Sequence, residues 1–254
     1  MGIFIKNREQ IALMRKANHI VAETHAMLER NIRPGVTTGE LDRLADEFIR
    51  SNDAAPSFLG QPSMVGDRPF PASICVSVNE EVIHGIPGLR RLKEGDIVSI
   101  DIGAIYRGFH GDAARTFAVG RVSAEHAKLL DVTRASFFEG IRFAKTNVHL
   151  HQISGAIQDH VEGFGFSVVR DFIGHGIGRQ MHEAPEIPNF RPKNRGPRLS
   201  PGMTLAVEPM VNMGTYEIEI LDDDWTVVTK DRKYSAHYEN TILITDGEPE
   251  ILSV

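Results

Sequence analysis

The sequence predicts an α+β protein made of two similar halves with helices covering antiparallel strands. Three observations carry this. Two amphipathic helices precede a block of short, β-branched runs, and the same helix–helix–strands order then repeats. Sliding the first half along by 112 residues sets Val36 on Val148, Leu41 on Ile153, Ala45 on Ile157 and Ile49 on Val161. The halves fall at about 7–120 and 121–254 of one 254-residue domain, with the site expected between them.

Each element has its own signal. Asn7 can cap a helix to about Arg30, with Ile11, Met14, Ala17, Val21 and Leu28 at helical spacing. Pro34 and Gly35 break it. Thr37 and Glu40 then form a capping box for a second helix, with Leu41, Leu44, Ala45 and Phe48 as its apolar face. "SICVSVN", "IVSIDIGAIY" and "TFAV" read as strands. The second half repeats this with helices at about Ala124–Ala144 and 151–162, then "FSVV", "TLAVEPMV", "WTVVT" and "NTILIT". The proline-rich, basic stretch 187–202 reads as a surface loop.

Composition narrows the class. Hydrophobic residues are 41% and charged residues 24%, an ordinary globular mixture. A net charge of -6 argues against nucleic-acid binding. The single cysteine, Cys75, allows no internal disulfide and no cysteine-rich zinc site. The N-terminus lacks a signal-peptide h-region, and no run approaches the roughly 20 apolar residues of a membrane span. The expectation is a cytoplasmic protein with no membrane contact.

The chemistry starts in "IDIGAIYRGFHGDAARTF". Asp101 sits inside an apolar run, and Asp112 follows eleven residues later beyond the Arg107–Gly108 turn. With that turn, Asp112 lies opposite Gly103, diagonal to Asp101; a register shorter by two residues would set the aspartates directly opposite. Either register puts both carboxylates on one face, at roughly 5–8 Å. From the hairpin alone, a solvent-facing aspartate pair is an equally good reading. Three later segments favour a metal site: His175 between glycines in "GHGIGRQMHE", Glu208 before Pro209, and Glu239 in "SAHYENTILIT". Four carboxylates bring four negative charges, which two divalent ions balance. Oxygen ligands with one imidazole favour manganese, iron(II) or cobalt(II) over a structural zinc. Such a pair activates water for hydrolysis.

Together "SVNEEVIHGIP", "DIVSIDIGAIYRGFHGDAARTF", "GHGIGRQMHEAPEIPNF", "GMTLAVEPMV" and "DRKYSAHYENTILIT" resemble type I methionine aminopeptidase over nearly the whole chain. The resemblance implies the pita-bread fold and removal of the initiator methionine from nascent chains when the second residue is small. It implies Asp101, Asp112, His175, Glu208 and Glu239 as ligands of two divalent ions (Co, Mn, Fe(II) or Zn), with Asp112 and Glu239 bridging and Glu208 also moving protons. It implies His84 at the scissile nitrogen and His182 at the developing oxyanion. Cys75, Phe70, Met181 and Trp225 map to the methionine pocket, with Phe58 as a further candidate. Asn79, Glu81 and Ser235 map to positions that hold a monovalent cation in some members. The substrate is then a nascent polypeptide N-terminus, met at the ribosome, and the enzyme a monomer.

The sequence also departs from the family pattern. Met181 stands where an aromatic residue often precedes the second histidine, and His237 stands where glutamine is expected, on the same strand face as Glu239. The 60–70 stretch is longer than in short members. "HLH" at 149–151 lacks an acidic partner and reads as solvated imidazoles. No GxSxG serine or dinucleotide-binding glycine run occurs, and nothing marks Cys75 as a nucleophile. A prolidase-type enzyme would share fold and ligands but carry a large N-terminal domain. A non-catalytic relative would have lost ligands.

Overall fold

The computed structural model describes residues 2–254. Helix α1 (Arg8–Glu29) starts in a capping box between Asn7 and Gln10, and α2 (Thr38–Ser51) in one between Thr37 and Glu40. In the second half, Ser123 caps α3 (Ala124–Ile141). The first turn of α4 (His151–Gly163) has no side-chain cap, and loop carbonyls of Pro197 and Arg195 take up the N–H groups of Leu150 and His151.

Every strand pairing is antiparallel. In the first half, strand Ile97–Tyr106 pairs with Phe109–Ala118 on one side and with Cys75–Val78 and Ala55–Pro56 on the other. In the second half, five strands run in the order Glu250–Ile251, Asn240–Leu243, Thr204–Val207, Gly174–Gly176, Glu183–Ile187. Two three-stranded sheets complete the fold, one through Glu81–Ile83 and Val227–Thr229, the other through Met210–Asn212 and Ser235–His237.

The internal offset has a packing meaning. Leu41, Ala45 and Ile49 of α2 and their counterparts Ile153, Ile157 and Val161 of α4 are all fully buried, each trio forming an i, i+4, i+8 ridge. Of the apolar clusters, the two largest divide by half: one draws its buried residues from 20–119, the other from 129–244 together with Ile97. The halves join where strand Phe109–Ala118 meets the 237–241 segment. There Glu239 N–H donates to Ala114 O at 2.9 Å, and the Thr241 hydroxyl donates to Asp112 O at 2.9 Å.

Four local expectations are corrected. The third helix stops at Ile141 rather than Ala144, because Gly140 O takes the N–H groups of Arg142 and Phe143 in a tightened last turn. On α2, Ile49 is buried while Leu44 and Phe48 are only partly covered, since the ridge follows fourth residues. "TLAVEPMV" is two strands split at Glu208–Pro209, where proline cannot donate to a ladder. "WTVVT" begins its strand at Val227, leaving Trp225 in a turn held by the Asp223 carboxylate.

Candidate active site

The hairpin takes the longer of the two registers: Gly103 lies opposite Asp112, and Asp101 opposite both Ala114 and Cys75. Asp101, Gly103, Asp112 and Cys75 therefore share one face. Gly111 is bare because a Cβ there would lie 2.6 Å from Asn18 N of α1. That close approach lets the Asn18 side chain accept the Asp112 N–H at 3.2 Å, bracing the aspartate from behind.

The glycines around His175 have the same kind of cause. A Cβ on Gly174 would lie 2.4 Å from Ala206 O, and one on Gly176 would lie 2.2 Å from Ala184 O. The strand carrying His175 is thus wedged between two neighbours. The Nδ1 of His175 meets Gly176 O at 2.9 Å, so Nδ1 carries the proton and Nε2 presents a lone pair to the site. That Nε2 stands 3.5 Å from Glu208 Oε1 and 3.9 Å from Asp112 Oδ2. Ligand atoms of Asp112, His175 and Glu239 all lie within 4.8 Å of one another.

These separations around His175 are long for hydrogen bonds and fit groups facing a shared cation. The polar accounting points the same way: Asp101 Oδ1, Asp112 Oδ1 and Glu239 Oε1 are buried without a hydrogen-bond partner. Burial pushes Asp101 up to about 7. Burial and neighbouring carboxylates push Asp112, Glu208 and Glu239 well above the ordinary carboxyl range. Arg115 relieves only Glu239, and less than burial and the carboxylates raise it, because its guanidinium is occupied by the carbonyls of Ala114 and Glu239 and by Asn240 Oδ1. Four carboxylates this close, Asp112 and Glu239 buried and Asp101 and Glu208 half-buried, ionise together only if cations accompany them. The residues fit a divalent metal centre of hard oxygen ligands with one imidazole.

Around this cluster stand three more imidazoles. His84 takes a left-handed φ of +58° and packs edge-on against Phe172 and Trp225 at 5.5 and 6.0 Å. Burial and His182 hold it down to about 4, so it is neutral near pH 7. The ring of His182 meets His175 edge-on at 4.4 Å; the residue is exposed, and the neighbours that do cover its ring shift its pKa downward by partial desolvation. His237 Nε2 is buried without a partner, 4.0 Å from Glu208 Oε2 and 3.9 Å from Glu239 Oε2. Phe172 and Arg115 were not singled out in the sequence; Phe172 had only its closeness to "GHG" as a signal, and Arg115 only its place in the aspartate hairpin.

Beside the carboxylates, Phe70, Ala72 and Cys75 form an apolar cluster that Phe58, Ile86 and Trp225 cover. Phe70 and Trp225 stack edge-to-face at 5.0 Å, and the Trp225 indole N–H donates to Arg68 O at 2.8 Å. Met181 lies in a different cluster, with Met14, Phe109 and Ile177, and Phe58 packs against both. Asn79 O accepts the Ser235 N–H at 2.9 Å, while the Glu81 carboxylate takes the Val78 N–H and pairs with Arg90. The "HLH" imidazoles meet the carbonyls of Gly196 and Arg195 on the surface, away from any acidic cluster.

Residues 12–246 match the sequence pattern of metallopeptidase family M24. The chain belongs to that family. It is 57% identical over 252 residues to a methionine aminopeptidase of Clostridium perfringens, covering 99% of both chains. It is 51% identical to methionine aminopeptidase 1 of Bacillus subtilis, again covering 99% of both. The crystal structure of the Thermotoga maritima methionine aminopeptidase superposes with a TM-score of 0.95 at 42% identity, covering 99% of each chain. The two-halved α+β architecture is the pita-bread fold expected from the sequence. No helix among the described residues is long and apolar enough to cross a membrane.

Proposed function

We propose that this protein is a metal-dependent aminopeptidase that removes the N-terminal methionine of polypeptides whose second residue is small. The observation that carries this reading is the meeting of two buried and two half-buried carboxylates with one lone-pair-presenting histidine at the seam between the halves, beside an apolar cluster. Full-length similarity to methionine aminopeptidases supports it.

Asp101, Asp112, His175, Glu208 and Glu239 would hold two divalent ions. When bound, these supply Lewis acidity toward the scissile carbonyl and make water a nucleophile at neutral pH. The chain does the rest. The pocket of Phe70, Cys75 and Trp225 takes the methionine side chain, whose polarizable sulfur suits aromatic edges. Glu208, ionised when the ions are bound, accepts the proton of the attacking water and hands it to the leaving amine. His84, kept neutral by desolvation, and the more exposed His182 donate N–H groups to the scissile nitrogen side and to the developing oxyanion. A monovalent cation near Asn79 and Ser235, cytoplasmic location, a single catalytic domain acting as a monomer, and substrate encounter at the ribosome complete the proposal.

The test is cleavage of Met-Ala and Met-Leu peptides by chelated enzyme with and without Mn(II). Metal-restored cleavage of Met-Ala well above Met-Leu is expected. Equal cleavage of both, or turnover indifferent to chelation, would count against the reading.

A further inference from the structure

Beyond the site, one ion pair stands out. Lys6 Nζ lies 2.6 Å from Glu183 Oε2, with the two side chains only 5% and 4% exposed. Lysine and glutamate are almost never buried to this degree unless paired. Such a pair adds little net stability, since apolar residues of similar volume usually do as well or better. Its place in the chain gives it another use: Glu183 directly follows His182.

We propose that Lys6 and Glu183 are positioning residues for His182, with the N-terminal segment acting as a strap over the turn that carries this histidine. The proposal rests on the role given to His182 above. The Glu183 carboxylate grips the turn at two points: Oε2 holds Lys6, and Oε1 accepts the Gln180 N–H at 3.2 Å. At the near end, Gly178 O accepts the His110 N–H at 2.8 Å. The strap itself is anchored, because the Lys6 N–H donates to Gly202 O at 2.8 Å and its ammonium reaches Phe4 O at 3.3 Å. Two glycines make room for it. A Cβ on Gly178 would lie 2.6 Å from Lys6 Cε, and one on Gly202 would lie 2.7 Å from Ile5 Cγ2. Against these tethers, the edge contact of the His182 ring with His175 at 4.4 Å is a weak restraint. A displacement of about 1 Å in a group that meets the transition state can cost on the order of a hundredfold in rate.

The test compares the metal-loaded K6M/E183L double variant, Lys6→Arg and His182→Ala with wild type. In K6M/E183L, kcat should fall at least tenfold with KM within about twofold, while melting temperature and bound metal stay at wild-type values. In the metal-free double variant the imidazole 15N resonances of His182 should broaden or split. Lys6→Arg, which keeps the ion pair, should retain kcat within about threefold. An unchanged kcat in the double variant, where His182→Ala is strongly impaired, overturns the strap. A double variant that fails to fold overturns it too, because the pair would then stabilise rather than orient. Full activity in His182→Ala would instead refute the role of His182 on which the proposal stands.

Discussion

Replacing Asp112 by asparagine should have opposite effects on the metal-free and metal-loaded protein. Asp112 is 3% exposed, and its carboxylate lies within 4.8 Å of the Glu239 ligand oxygen. At that separation and an effective dielectric of about 20, two ionised carboxylates repel by about 3.5 kcal/mol. The metal-free wild type escapes this by taking up protons: burial, joined by neighbouring carboxylates, raises Asp112, Glu208 and Glu239, and burial raises Asp101 to about 7. The sign follows from linkage. Carboxyls with raised folded-state values bind more protons folded than unfolded, so stability falls as pH rises from about 4 through those values. The buried histidines, lowered to about 3 for His25 and about 4 for His110, act oppositely, but only below their unfolded value of about 6.5.

Between about pH 6.5 and 8, metal-free wild type should therefore lose stability, and Asp112→Asn should lose less and melt at the same temperature or higher. Metal reverses the order. A ligand at a hundredfold excess over its Kd stabilises wild type by about 2.7 kcal/mol. An affinity loss of about 3.5 kcal/mol, a few hundredfold, removes nearly all of that protection. Thermal melts with chelator and with Mn(II) at several pH values read both limbs. An Asp112→Asn protein that is clearly less stable than wild type without metal, or is protected by metal as strongly as wild type, would refute the reasoning.

Three further outcomes follow from the same geometry. Gly176→Ala would set a Cβ 2.2 Å from Ala184 O, so the variant should lose at least about 2 kcal/mol in denaturant melts and bind less metal through the displaced His175. Phe70→Ala removes the ring on which Trp225 packs at 5.0 Å; peptide kinetics should show selectivity for methionine over leucine at the first position falling by about 1–3 kcal/mol. A Met-Gly peptide fits the same small-residue rule, and mass spectrometry after incubation with the metal-loaded enzyme should show its methionine removed, while a Met-Leu peptide stays largely intact.

Much of this was legible in the sequence because it depends on local rules. The Asn7 cap and the Thr37–Glu40 capping box give two helix starts, and of the two registers the sequence left open, the one with the turn at Arg107–Gly108 faces Asp112 toward Gly103. Period-two alternation then puts Asp101, Cys75 and Asp112 on one face. What alternation cannot give is which distant strand arrives there. The meeting of Glu239 with Asp112 depends on the Ala114 and Thr241 hydrogen bonds across the seam. The glycines beside His175 pointed to a close approach, but what approaches is the carbonyls of Ala206 and Ala184. Met181 maps to the methionine pocket by family position, yet packs with Met14 and Phe109, because cluster membership follows the path of α1. Lys6 and Glu183 are 177 residues apart, a pairing that no local pattern reveals.

The central claim is best tested by titrating the chelated protein with Mn(II) while recording its electron paramagnetic resonance spectrum and its Met-Ala turnover. Two equivalents per chain, magnetically coupled at saturation, with turnover rising as they bind, is the predicted result. A folded protein that binds no Mn(II), or one that cleaves Met-Ala at full rate before any is added, would contradict it.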